Sequence, residues 1–291
     1  MKTICACICT LLTIVCTAAA DTEPFSPGFG MATQSTVLWE NSPAARQPWS
    51  ASALHGNEDV PFGFAAGAVS YYSDLQTLTD IVQATAGIWF TRKSITVKLA
   101  YSQLDALGQY YRQKAFLSAG IPLYFVADVR ISMECELFRC GLSGTDETEA
   151  FATVGWTAMV RRKIANISLA FSHFVVESAS DESFEPPLTM SCRVSTVRHR
   201  YGAQGIGFDY IMEHRTRFRF RLGHGFWIHE AFGATFSMAT NPVTIGLGVE
   251  LQFPSIETGA AYMFHPVLGW SRGIHLMYPW KKTNKEAGHL K

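Results

Sequence analysis

Apolar and polar residues alternate along most of this chain. In "SITVKLAYS", Ile95, Val97, Leu99 and Tyr101 share one side, and Ser94, Thr96, Lys98, Ala100 and Ser102 take the other. Successive side chains of a strand point to opposite faces, so the pattern predicts a strand with one apolar face. "VTIGLGVELQF", "IANISLAF" and "GIGFDYIME" alternate in the same way. In "RTRFRFRL", Arg215, Arg217, Arg219 and Arg221 oppose Phe218, Phe220 and Leu222. The longest row is in "YFVADVRISMECELF". There Phe125, Ala127, Val129, Ile131, Met133, Cys135 and Leu137 face away from Asp128, Arg130, Ser132, Glu134 and Glu136.

The pattern predicts strands over 60–71, 84–92, 94–103, 114–121, 124–138, 149–161, 164–175, 190–198, 201–212, 215–222, 226–236, 243–253, 256–264 and 267–278. Strands of soluble sheets are commonly about 5–6 residues long. Serial strands near ten residues suit a tilted crossing of a bilayer. Early in the chain, long connections such as "SDLQTLTDIVQ" and "ESASDESFEPPLT" alternate with tight ones at "RK" and "RRK". "SQLDALGQYYRQ" reads as another long connection, with a short helix in it. The expected fold is all-β: a closed antiparallel transmembrane β-barrel of about fourteen strands, twelve being the lower count.

Composition agrees. The chain is 48% hydrophobic and 16% charged, yet past the first residues no apolar run reaches the ~20 residues of a membrane helix. Residues 1–20 read as a signal peptide: Lys2, an apolar run from Ile4 to Val15, and Ala18 and Ala20 before a cut that leaves Asp21 first. That leaves Cys135, Cys140 and Cys192, an odd set that is no disulfide framework, although Cys135 and Cys140 are spaced to bridge a strand to its loop. The formal net charge of +0 gives no bulk attraction to nucleic acid. No cysteine–histidine set has metal-site spacing, so no metal or other cofactor is expected.

If lipid lies outside, the polar rows face in. An arginine on the lipid face near the midplane costs roughly 2–4 kcal/mol. The expected inward ladder is therefore Arg215, Arg217, Arg219 and Arg221 with Asp128, Arg130, Glu134, Glu136, Asp209, Glu213 and Glu250. It either lines a path for anionic solutes or closes the lumen by cross-strand pairing; the charge balance favours pairing. Trp89, Phe90, Tyr101, Tyr124, Phe125, Phe174, Phe226, Trp270, Tyr278 and Trp280 lie near predicted strand ends, as interfacial girdles do. His173 shares its face with Phe171 and is expected outside. No serine–histidine–carboxylate constellation emerges, so no enzyme is expected.

Two stretches resemble known families. "SRGIHLMY", with Ser271, Gly273, Leu276 and Tyr278, resembles the C-terminal signal read by the outer-membrane barrel-assembly machinery. A polar tail, 279–291, follows a barrel placed at 60–278. "GFGMATQSTVLWENSPAA", with Gly28, Gly30, Trp39, Asn41 and Pro43, resembles the segment that opens the long-chain fatty-acid transporter family and related barrel proteins of the type IX secretion system. Here Ser42 separates Asn41 from Pro43. The resemblance implies that residues 21–59 plug the lumen. It also implies that the barrel handles small hydrophobic molecules or serves secretion. The expected location is the outer membrane, with its lipid and the assembly machinery as partners. Passage of small hydrophobic or anionic solutes is the expected function; a scaffold with a charge-filled lumen and a secreted soluble β protein are the alternatives.

Overall fold

The alternating rows close into a ring. The computed structural model describes residues 61–280, apart from 72–80, 93–94, 107, 109, 124–128, 143–147, 162–164, 179–186, 197–202, 213–215, 230, 242, 254 and 267–268. The described residues form β1 (Phe62–Tyr71), β2 (Ile81–Arg92), β3 (Ile95–Ala106), β4 (Tyr110–Pro122), β5 (Val129–Leu142), β6 (Thr148–Arg161) and β7 (Ala165–Ser178). They continue with β8 (Leu188–Thr196), β9 (Ala203–Met212), β10 (Arg217–His229), β11 (Phe232–Ala239), β12 (Thr244–Gln252), β13 (Glu257–His265) and β14 (Gly269–Trp280). Each strand is antiparallel to its chain neighbours, and β1 pairs with β14 from Phe62↔Trp280 to Ser70↔Arg272. Closure leaves no strand edge, the condition for a sheet to stand in lipid. The first residue of β1 and the last of β14 share one end, called here the terminal end; the other is the far end.

The outward rows are apolar. Met133 is 67% exposed, and Leu99, Leu117, Leu137, Ile206, Phe218, Phe220, Leu247 and Ile274 are exposed with it. A soluble monomer rarely carries so large an apolar surface; in a bilayer it is the solvated one. Aromatic rings gather outside at both ends: Phe64 stacks on Tyr278 at 5.7 Å near the terminal end, and Phe264 meets Trp270 at 5.0 Å near the far end. Arg272 also points out, but it lies two residues from Trp270 near the far end, where an outward arginine costs only about 0–1 kcal/mol.

The fourteen-stranded closed barrel is as expected, and several local readings are corrected. β3 and β4 run on to Ala106↔Tyr110, so the expected long loop with a helix is a tight hairpin. Gly108 takes φ 62° there, and its amide donates to Asp105 Oδ1 at 2.8 Å. β10 does not break after Leu222; it pairs on with β11 to His229↔Phe232. Gly223 and Gly225 look like turn residues in sequence, but both face inward opposite Gly205 and Ala203, a narrow strip of small residues. β14 extends to Trp280, two residues beyond the expected barrel end. Cys135 points out and Cys140 in, and both are free thiols, so they do not bridge.

Candidate functional site in the barrel interior

Three inner walls differ in chemistry. On β8–β10, Arg219 stands opposite Asp209 in register. The ion pair forms one step along the ladder, from Arg221 Nη2 to Asp209 Oδ2 at 2.5 Å. Ser191 Oγ donates to the other carboxylate oxygen at 2.8 Å. Arg219 Nε instead donates to the Asn241 carbonyl at 3.1 Å, tying the wall to the far-end turn between β11 and β12. Gly207 pairs with both Arg193 and Arg221, so its missing side chain leaves room for two long stems. Asp209 is 0% exposed and Arg221 2%. Among the described residues of this wall, Arg193, Arg217, Arg219 and Arg221 stand against Asp209, a formal +3 (four minus one).

On β3–β7 the charges are mixed. Glu136 accepts from Lys114 in an ion pair, and its Oε2 lies 3.3 Å from His173 Nε2. Thr153 Oγ1 donates to the same oxygen at 3.4 Å. Glu134 accepts from Ser172 Oγ at 3.2 Å, and Lys98 is buried on this wall too. Ser172 and His173 are adjacent in sequence yet both face in. The β6–β7 register shifts between Val154↔Phe174 and Trp156↔Phe171, and His173 adopts φ 64°. A bulge inserts an extra residue and re-aims the side chains around it. This overturns the outward reading of His173. Opposite the bulge, a Cβ on Gly155 would meet the Glu134 carboxylate and would lie 2.7 Å from the Phe171 carbonyl.

Apolar groups frame that polar cluster. Phe138, Cys140 and Phe151 pack with Tyr110 towards the far end. Ala65, Trp89, Ala100, Phe116 and Met277 cluster below. Lys114 Nζ bridges the two groups, 5.0 Å from the Phe138 ring centre and 5.9 Å from that of Phe116. Trp89 is thus a lumen residue and not part of the outer girdle. Its indole lies across Gly63, where a Cβ would collide with the ring.

The third wall, β11–β14 with β1, is lined mostly by small groups: Gly246, Gly248, Gly259, Ala261, Ser271 and Gly273. Its acids, Glu250 and Glu257, sit near the terminal end, where Gln252 Nε2 donates to Glu257 Oε1 at 3.1 Å. Ala261 and Ser271 are each 0% exposed.

Of the expected ladder, Arg217, Arg219, Arg221, Arg130, Glu134, Glu136, Asp209 and Glu250 face in. Within that set Asp209 and Arg221 are joined by an ion pair. Asp128, Glu213 and Arg215 lie outside the described residues, as do Gly28, Gly30, Trp39, Asn41 and Pro43. Ser271 and Gly273 face in, and Leu276 and Tyr278 face out. Reading the ladder missed Lys114, Ser191, Arg193 and His173 as its partners, and Glu257 as a further buried acid. Alternation alone could have placed Arg193 and Lys114; the bulge that brings in His173 has no such signal. The serine at 172 is directed to Glu134 and not to the neighbouring imidazole, so these two side chains hold carboxylates in place and form no activated nucleophile. Among the described residues no group of acids, histidines and cysteines could hold a metal.

No family model and no curated protein matches the chain. Among solved structures the barrel is similar to the outer membrane protein Omp33 of Acinetobacter baumannii, with a TM-score of 0.50 and 9% identity over 76% of this chain and 98% of that one. It is also similar to the CymD monoaromatic hydrocarbon channel, with a TM-score of 0.53 and 9% identity over 76% of this chain and 88% of that one. At such identity the likeness speaks for the fold, a closed outer-membrane type of barrel.

Proposed function

We propose that this chain is an outer-membrane barrel that passes small hydrophobic molecules along an aromatic inner wall, with residues 21–59 filling the rest of the lumen. The observation that carries this reading is the inward apolar line on β1–β6 and the adjoining β14: Tyr110, Phe138 and Phe151 towards the far end, then Phe116, Trp89 and, on β14, Met277. A water-filled pore keeps its charged lining hydrated, whereas here the inward carboxylates and guanidinium groups are almost closed off from solvent. The filling segment is supported by the third wall. There small inward groups such as Ala261 and Ser271 are fully buried. An open anion path along the arginines has less support than paired charges.

The test is flux into liposomes carrying the purified barrel. An uncharged aromatic solute should enter several times faster than a sugar of similar size, and Trp89→Ala should change the aromatic flux while leaving the sugar flux low. Equal fluxes, or a steady wide conductance in planar bilayers, would overturn it. A scaffold that transports nothing is the second reading, favoured by the closed-off charges; no flux of either solute from a correctly folded barrel would establish it.

A further inference from the structure

Five positions of the inner wall stand in one register row. Trp89 on β2 pairs with Lys98 on β3, Lys98 with Ser118 on β4, Ser118 with Glu134 on β5, and Glu134 with Gly155 on β6. All five face the lumen. Three polar atoms in and beside this row have no hydrogen-bond partner: Glu134 Oε2, Ser118 Oγ and, two residues before Glu134 on the same face, Ser132 Oγ. Glu134 is 7% exposed and each of these serines 1%. Buried polar groups are nearly always hydrogen-bonded, and leaving one unsatisfied costs free energy. The wall does supply a partner to the other Glu134 oxygen, to which Ser172 Oγ donates. Directly opposed side chains of a sheet stand about 5 Å apart at Cβ, yet the Ser118 hydroxyl does not close on Glu134.

We propose that these atoms form a seat for the hydroxyl of a phenol-type solute, which donates to Glu134 Oε2 and accepts from Ser118 Oγ while its ring lies against Phe116. This rests on the reading that the barrel passes small hydrophobic molecules along its aromatic wall, and it names their class. The chemistry of the atoms selects the group. A carboxylate oxygen accepts, whereas a serine hydroxyl both donates and accepts, so a single ligand atom that does both fits between them. Ions are disfavoured by the surroundings. Lys98 and Lys114 stand with Glu134 and Glu136, a formal net charge of zero (two minus two). An ammonium group would meet the two lysines, and a carboxylate group the two glutamates. The apolar part of the seat is next to the polar part. Phe116 lies two residues from Ser118 on the same face and is buried in one cluster with Trp89. A ring without a hydroxyl would leave Glu134 Oε2 without a donor, and that cost separates the two kinds of solute. Gly155 keeps space for the carboxylate, since a Cβ there would meet Glu134 Oε1. Ser132, one row nearer the terminal end, extends the polar strip.

The experiment uses the full chain in lipid nanodiscs, checked for folding by heat-modifiable gel mobility. The probes are para-fluorophenol and para-fluorotoluene, followed by fluorine NMR, with protein-free discs as the control for partition into lipid. The phenol should bind saturably and about tenfold more tightly than the toluene, the worth of one hydrogen bond to a charged group. Glu134→Gln should remove most of that difference and leave the toluene unchanged. Ser118→Ala is an independent arm. Its hydroxyl bonds to nothing in the structure, so the change should leave urea stability as it was while weakening the phenol severalfold. Equal affinity for the two probes, or phenol binding unmoved in either variant, would overturn the seat and leave the aromatic path standing. Saturable binding of neither probe would overturn both.

Discussion

The walls β3–β7 and β8–β10 solve the same problem differently. Both place charged groups where water scarcely reaches. On β3–β7 each carboxylate has partners of its own: Lys114, His173 and Thr153 for Glu136, and Ser172 for Glu134. Aromatic rings flank the cluster and Lys114 lies over two of them. On β8–β10 one carboxylate, Asp209, is shared among guanidinium groups on the two adjacent strands. The first wall is balanced by local partners. Among the described residues of the second, Asp209 is the acid that faces several arginines, so a change there has more neighbours to disturb.

The sharpest way to break the comparison is Asp209→Ala. It removes the acid that Arg221 pairs with, the inward carboxylate among the described residues of that wall. Loss of one partner of a buried pair commonly costs about 3–5 kcal/mol. Urea unfolding of the barrel in detergent should show a loss of that size. A loss below about 1 kcal/mol would mean that the wall is balanced from elsewhere.

Next is Phe220→Arg. Phe220 shares β10 with Arg219 and Arg221 but points the other way, and is exposed on the outer surface. An arginine there faces lipid, at a cost of about 2–4 kcal/mol in a bilayer and much less in detergent micelles. Comparing unfolding in vesicles and in detergent isolates the lipid term. Equal losses in the two media would argue against a lipid-facing β10. On the first wall, Gly155→Ala forces a Cβ against the Glu134 carboxylate and the Phe171 carbonyl. Overpacking of that kind costs about 1–3 kcal/mol, and a neutral result in the same unfolding assay would show that the bulge relaxes freely.

These positions also mark what the sequence could and could not convey. The period-2 rows placed Phe220 outside and Arg219 and Arg221 inside, because a strand allows no other alternation. The same rule failed where the strand itself departs from regularity. Ser172 and His173 both turn inward at a bulge, which adds a residue without any change of composition. The expected break between 222 and 226 falls on Gly223 and Gly225, which instead belong to the lumen wall of one long strand. Trp89 looked interfacial because tryptophan is common there; only the register, which sets Gly63 beside it, shows that the ring has a place inside. Pairing between charges was legible only as far as register could be guessed. Arg219 lies directly across from Asp209, while Arg221, two residues on, forms an ion pair with the same carboxylate and Arg219 Nε reaches the Asn241 carbonyl.

The smallest expected effect compares the two walls through one atom each. Ser191 donates to Asp209 at 2.8 Å, and Ser172 donates to Glu134 at 3.2 Å. Replacing either serine by alanine removes a hydroxyl and adds no charge or bulk. The net contribution of a hydrogen bond is about 0.5–1.5 kcal/mol. Ser191→Ala should fall at the upper end of that range, because its bond is short and Asp209 has no exposure to water that could replace the donor. Ser172→Ala should fall at the lower end, its bond being longer. Paired urea titrations of the two variants would show the ordering, and a larger loss at Ser172 would mean that the local partners of the β3–β7 wall matter more to the barrel than the shared acid of β8–β10.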